Sequence, residues 1–183
     1  MNSQPFTLIP FDEKTSQDLP ISITGTIALH NKQINARYRI NGNIQKIHFP
    51  DVAQQPTRKN GLWNATCCEL FVGISGEPNY WEYNLSPSHD WAVFSFTGYR
   101  QNKADDLSIS KLDITTKIDK NNEFELKTVL ALPEMLIGHM LDIGVSSVVQ
   151  DKSGNIHYYA LTHPGKQADF HDRNGFNIKL NAK

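Results

Sequence analysis

The chain has 183 residues, 39% hydrophobic and 20% charged, a length and balance that fit one domain with a real core. Lys and Arg (18) nearly match Asp and Glu (19), the net charge is −1, and no basic block exceeds Arg58-Lys59. A nucleic-acid groove or an anionic membrane surface calls for a strong positive field, so neither is an expected partner. No run approaches the ~20 apolar residues of a membrane span. The opening MNSQPFTLIPFDEK lacks the charged start, apolar run and cleavage site of a signal peptide. The only cysteines, Cys67 and Cys68, are adjacent, and a bridge between strand neighbours that point to opposite faces is strained. Reduced thiols without a signal predict a cytoplasmic protein.

In chain order, residues 1–20 read as an entry segment with a short strand near Phe6–Ile9, punctuated by Pro5, Pro10 and Pro20. Residues 21–29 alternate with period two, Asn31-Lys32 suits a tight turn, and residues 33–40 alternate again. Asn41-Gly42 is the strongest hairpin dipeptide in the chain and predicts that residues 43–49 pair back as a strand. Residues 50–62 are a polar loop delivering Trp63. Strands are predicted at 66–73, 80–85 and 91–96, separated by turns at 75–79 and 86–90. A polar linker, 101–106, precedes β-like runs at 107–118 and 123–132. Pro133 to Leu136 is the expected helical turn, because Pro tolerates the first helical position. Strands at 141–149, 156–161 and 175–180 complete the chain, the last two separated by a loop rich in His and Asp. About ten short strands with frequent turns and little helix predict an all-β, single-domain antiparallel sandwich.

The stretch 63–100 organises the rest. Strand side chains alternate between faces. Leu70, Val72, Trp81, Tyr83 and Leu85 therefore share one apolar face, and Glu69, Glu82 and Asn84 share the other. Two carboxylates and an amide on one face suit a binding site; a solvated outer face is the plainer alternative. Cys68 falls on the buried side, and Cys67 is expected to line the polar one. Trp81 and Trp91 lie inside strands, where burial is the default. Trp63, at a loop–strand junction, is either a core anchor or a platform for a sugar ring.

Other constellations are weaker. His163 and His171 share a loop with Asp169 and Asp172, but no metal-ligand spacing is present, so hydrogen bonding to the backbone is the preferred role for loop histidines. Asp51, Asp105 and Asp106 match no calcium loop. Ser86, Ser88, His89 and Asp90 contain the residue types of a hydrolase triad, yet triads are rarely built within five residues and no nucleophile elbow is present. Glu69 and Glu82 could instead be a glycosidase pair. No cofactor is required by any motif, and none specifies an oligomeric state.

Three motifs carry a resemblance: Trp-x5-Glu-x-Phe (Trp63, Glu69, Phe71), Tyr-x-Glu-x-Asn-x-Ser-Pro-Ser (Tyr80 to Ser88) and Trp-Ala-x-x-x-Phe-x-x-Tyr-Arg (Trp91 to Arg100). The closing Tyr159 to Pro164 and Asp169-Phe170-His171 add to it. Together they resemble bacterial DOMON-like proteins, which are related to the family-nine carbohydrate-binding modules. The resemblance implies a β-sandwich that clamps a sugar between two aromatic rings. It places Trp63 and Phe170 as the walls and Glu69 and Asn84 as polar contacts; the proposed site adds Glu82 as a further polar contact and Arg100 and His171 as candidate contributors. Glu82 falls where those modules carry an arginine, and Phe170 where they carry a second tryptophan. DOMON domains also include haem binders, for which His163 or His171 with Met135 or Met140 are the candidates. The expected function is non-catalytic binding of a saccharide or similar small polar ligand; the alternatives are a glycoside-acting enzyme and a haem-binding redox domain.

Overall fold

The computed structural model describes residues 3–182, without the side chains of Glu13, Thr15 and Ser16. The strands are β1 (Ser3–Pro10), β2 (Ile21–His30), β3 (Gln33–Gly42), β4 (Cys67–Ile74), β5 (Tyr80–Leu85), β6 (Trp91–Phe96), β7 (Ala104–Asp105), β8 (Asp113–Ile118), β9 (Phe124–Ala131), β10 (Met140–Gln150), β11 (Ile156–Ala160) and β12 (Ile178–Asn181). One short helix, α1 (Glu13–Asp18), lies between the first two strands, inside the predicted entry segment.

The strand order is β7-β6-β5-β4-β10-β11-β1-β2-β3-β9-β8, with β12 also on β10. All pairings between these strands are antiparallel. Strand β1 is the corner: residues 3–8 pair with β2, whereas Ile9 and Pro10 pair with β11. The two halves thereby fold onto one another as a β-sandwich, the predicted class. Its core takes Ile23, Ile27, Ile34, Tyr38, Ile40, Leu126 and Leu130 from the β1-β2-β3-β9-β8 sheet. The opposite sheet supplies Leu70, Val72, Trp81, Tyr83, Leu85, Val93, Leu141, Ile143 and Val145. Burial of this apolar surface is the main stabilising term. Trp81 and Trp91 are both buried.

Two buried tyrosines tie the layers. Tyr38 Oη donates to the Glu69 carbonyl at 2.7 Å, and Tyr83 Oη donates to the Ala131 carbonyl at 3.4 Å. The first fixes the height of β4 over the opposite sheet at the residue that carries the central carboxyl.

Asn31 and Lys32 both adopt positive φ (48° and 61°) and turn β2 into β3, as their spacing predicts. Asn41-Gly42 does something else. Gly42 (φ 105°) ends β3 opposite Ile21, and a Cβ there would sit 2.4 Å from the Pro20 carbonyl oxygen. Asn43 N–H bonds to that same carbonyl, 3.1 Å. The glycine serves this close approach rather than a hairpin, and residues 44–46 form a 3-10 turn in place of the predicted strand. The free edge of β3 pairs with β9 instead. The predicted 107–118 run is strand only over β8, and the final strand begins at Ile178 rather than at 175. The helical turn after Pro133 is present at Glu134–Leu136.

Replacing Tyr38 with Phe removes the hydrogen bond that ties β3 to the Glu69 carbonyl. The expected loss is about 0.5–1.5 kcal/mol, read from the urea midpoint with an unchanged m-value.

Candidate functional site

The outer face of the β7-β6-β5-β4-β10-β11 sheet holds the site. Glu69 sits opposite Asn84 in the β4–β5 ladder, and Glu82 sits opposite Phe71 on β4 and Phe94 on β6. This is the face that alternation assigns to the three polar residues. It is not a wet face: Glu69, Glu82 and Asn84 are exposed by only 3%, 4% and 0%. Phe71, Tyr80, Ala92, Phe94, Phe96 and Phe176 form a second apolar cluster around them.

What covers the face is the segment between β11 and β12, and two glycines let it lie flat on the sheet. A Cβ on Gly73 would fall 2.2 Å from Arg173 Nη1, and one on Gly144 would fall 2.7 Å from the Phe176 ring. Arg173 donates to the carbonyls of Ile74 (3.0 Å), Asn79 (3.0 Å) and Glu77 (3.1 Å), capping the β4–β5 turn. At the other end of the segment, Asp169 accepts from Arg100 Nη2 (2.8 Å) and from Tyr99 Oη. Its Oδ1 also accepts the His171 N–H at 3.1 Å.

Between sheet and segment lies a cavity of about 500 Å³. Its lining includes six of the seven residues singled out from the sequence: Trp63, Glu69, Glu82, Arg100, Phe170 and His171. Asn84 is one step back, beneath the floor, and its Nδ2 donates to Glu82 Oε1 at 2.8 Å. Cys67 takes the polar side of β4 but does not reach the cavity; both thiols are free and fully buried, and Cys67 Sγ lies 3.9 Å from Asn84 Oδ1.

The floor has a defined hydrogen-bond polarity. Ser146 on β10 donates to Glu69 Oε2 at 3.0 Å. Tyr80 Oη accepts the Arg100 N–H (3.1 Å) and lies 2.8 Å from His171 Nδ1. We assign the phenol proton to the bond with Nδ1, the arrangement in which the imidazole proton is on Nε2. That N–H faces Glu82 Oε2 at 3.8 Å, too far for a direct bond. Burial pushes the Glu69 carboxyl up to about 8, with the Glu82 charge adding to it. Glu82 is raised as well, again by burial, against the pull of Asn84, Lys103 and Arg100. His171 is driven down to about 4 by burial, with Arg100 and Lys103 adding to the shift, and is neutral at pH 7.

Aromatic rings make the walls. Trp63 meets Phe94 edge-to-face at 6.0 Å, and Phe170 meets Tyr158 at 6.0 Å. Lys103 lies with its ammonium 4.3 Å from the Trp63 ring centre and 3.7 Å from that of Phe94. Lys103, Ser146 and Tyr158 are site residues that the motif reading passes over, and Tyr80 opens one of the motifs without being assigned a role there. Tyr80 shares the face of Glu82 by alternation. Ser146 and Tyr158 arrive only through the pairing of β10 with β4 and β11, which no local pattern announces.

The remaining constellations do not converge. Ser86, Ser88 and Asp90 are hydrogen-bonded together, but His89 turns away to Thr116 Oγ1 at 2.9 Å. Asp90 instead pairs with Lys59 and accepts the Thr57 N–H. His163 Nε2 bonds to the Ile9 carbonyl (3.0 Å), and Asp172 caps the turn at Arg173–Gly175. Among the described residues no three His, Cys, Asp or Glu side chains group as a metal site needs. Met135 and Met140 are exposed and do not line the cavity with His171.

No protein-family model matches the chain, and a search of curated proteins finds no relative. Among solved structures it is similar to a Bacteroides uniformis protein to which carbohydrate binding has been ascribed. The two share 14% identity with a TM-score of 0.68, over 99% of this chain and 86% of that one. It is also similar to a family-nine carbohydrate-binding module of Caldicellulosiruptor kristjanssonii in complex with cellotriose. There the identity is 12% and the TM-score 0.52, over 88% of this chain and 74% of that one. At such identities the likeness is one of fold: the chain has the β-sandwich architecture of these proteins.

The buried acids leave a signature in stability. A carboxyl whose folded pKa is raised holds its proton longer in the folded state, so stability falls as pH rises between the unfolded and folded values. His171, depressed, works in the opposite sense, but only below its unfolded value near 6.5. Between about pH 6.5 and 8 the carboxyl effect therefore stands alone, at up to roughly 1.4 kcal/mol per pH unit for one proton. Urea titrations across that window are expected to show stability falling with pH, and Glu69→Gln is expected to flatten the slope. An unchanged slope in the variant removes Glu69 as its source.

Proposed function

We propose that the chain is a non-catalytic binding module for a small polar ligand of the saccharide class, seated in the cavity over Glu69 and Glu82. One observation carries the reading: two carboxyls almost out of water, each with one oxygen left without a hydrogen-bond partner among the described residues, form the floor of an aromatic-walled cavity. Carboxyl oxygens that border a cavity and bond to no described residue are placed to accept from ligand hydroxyls. The His171 Nε2–H adds a donor 3.8 Å from Glu82 Oε2, and a hydroxyl set between them can accept from one and donate to the other. Trp63 and Phe170 supply apolar surfaces on which the C–H face of a sugar ring stacks.

The solved structures of the same fold support this reading, since one is in complex with cellotriose. The placement of the acids favours the non-catalytic reading over a glycoside-acting enzyme. Glycoside hydrolysis needs two carboxyls flanking the scissile bond. Glu69 and Glu82 rise from neighbouring strands of one sheet face and meet a ligand from the same side.

A thermal-shift screen against mono- and oligosaccharides tests the proposal. A ligand at a hundred times its Kd stabilises the native state by about 2.7 kcal/mol, which is a shift of several degrees. Trp63→Ala is expected to abolish the shift while moving the melting temperature of the free protein by only a few degrees, because Trp63 is only half-buried. Binding retained together with a large loss of stability would make Trp63 a core residue. Asn84→Leu, which unties Glu82 Oε1, is expected to weaken binding at least tenfold.

A further inference from the structure

We infer that the ligand carries a primary amine, as an amino sugar does, and that its ammonium sits against Glu82 on the aromatic side of the cavity. The inference rests on the saccharide reading above and narrows it.

The protein's own Lys103 shows what that corner accepts. Its ammonium lies over two rings, 3.7 Å from the centre of Phe94 and 4.3 Å from that of Trp63. This is a cation–π seat. Among the described residues no carboxylate comes within ion-pair distance of Lys103, so the rings rather than a salt bridge hold it there. It is still near enough to Glu82 to favour that residue's ionised form. A cation on those rings and a buried acid beside them are the two halves of an amine-recognition site.

The remaining charges point the same way. Arg100, the other cation on the lining, is already paired with Asp169 at 2.8 Å and is 53% exposed at the rim. The neutral His171 brings no positive charge to the floor. What faces a ligand from below is thus the free oxygen of Glu69 and the free oxygen of Glu82, both on carboxyls under 5% exposed. A ligand carboxylate would be pressed against Glu82, whose ionised form Asn84, Lys103 and Arg100 favour. A neutral ligand leaves each acid to keep its proton or stand as an uncompensated buried charge, which is costly. A ligand ammonium lets Glu82 ionise as half of a pair, with Asn84 Nδ2 holding its other oxygen.

Isothermal titration of the full chain at pH 7 with glucose, glucosamine, N-acetylglucosamine, glucuronate and cellobiose tests this. Glucosamine is expected to bind at least tenfold tighter than glucose and than the N-acetylated sugar, whose amide carries no charge. Glu82→Gln is expected to bring the glucosamine-to-glucose ratio close to one. Lys103→Met, which removes the competing ammonium, is expected to tighten glucosamine several-fold; a gain of affinity cannot arise from misfolding. If glucose or cellobiose binds and glucosamine is no tighter, or if glucuronate binds best, the amine inference is wrong and the saccharide reading stands. If none of the five binds at tens of millimolar, both are wrong.

Discussion

Keeping Glu69 and Glu82 out of water is the condition on which the rest of this molecule turns. A carboxyl on the outer face of an antiparallel sheet is ordinarily hydrated and unremarkable. Here a segment of the chain lies directly on the face, and it can do so because Gly73 and Gly144 leave room for Arg173 and Phe176. The backbone carbonyls that bind the Arg173 guanidinium fix one end of the segment, and Asp169 fixes the other against Tyr99 and Arg100. Between those two anchors, Phe170 and His171 are delivered over the acids. Burial then raises both carboxyls and neutralises the imidazole, turning a charged patch into a directional set of donors and acceptors.

The same strands serve two interiors. One side of β4 and β5 fills the main core with Leu70, Val72, Trp81, Tyr83 and Leu85; the other supplies the cavity floor and its aromatic surround. Strands buried on both faces are stiff, and a floor with few ways to relax holds its polar groups in fixed positions, which lowers the ordering cost of binding. Tyr38 links the two interiors by donating from the opposite sheet to the Glu69 backbone. The relay from Arg100 N–H through Tyr80 to His171 does similar work above the floor, setting which imidazole nitrogen carries the proton.

Much of this was legible from period-two alternation alone. The side of β5 that bears Glu82 and Asn84, the apolar side that bears Trp81 and Tyr83, and the positive-φ turn at Asn31-Lys32 all follow from local pattern. Phe170 and His171 entered the site through the family resemblance, but no local pattern disclosed how the segment that carries them is held on the sheet. Arg173 acts through backbone carbonyls of the β4–β5 turn about a hundred residues earlier, and Gly73 and Gly144 look like ordinary strand glycines until the segment is laid on them. Ser146 reaches Glu69 only through β10 register, a non-local property. Lys103 sits in what reads as a polar linker and becomes part of the site because the short β7 pairs with β6. The one confident local signal that misled, Asn41-Gly42, did so because a glycine that permits close approach and a glycine that permits a turn are the same residue in sequence.

The most direct test of the account is a carbon-13 NMR titration of the glutamate side-chain carboxyls, in protein labelled at glutamate, with and without a binding saccharide. The account predicts two carboxyl signals that titrate above the ordinary glutamate value near 4.3, that of Glu69 at about 8, that vanish singly in Glu69→Gln and Glu82→Gln, and that move when the ligand is added. If every glutamate titrates in the ordinary range and none responds to the ligand, the two acids are wet, and they are not the floor of a binding site.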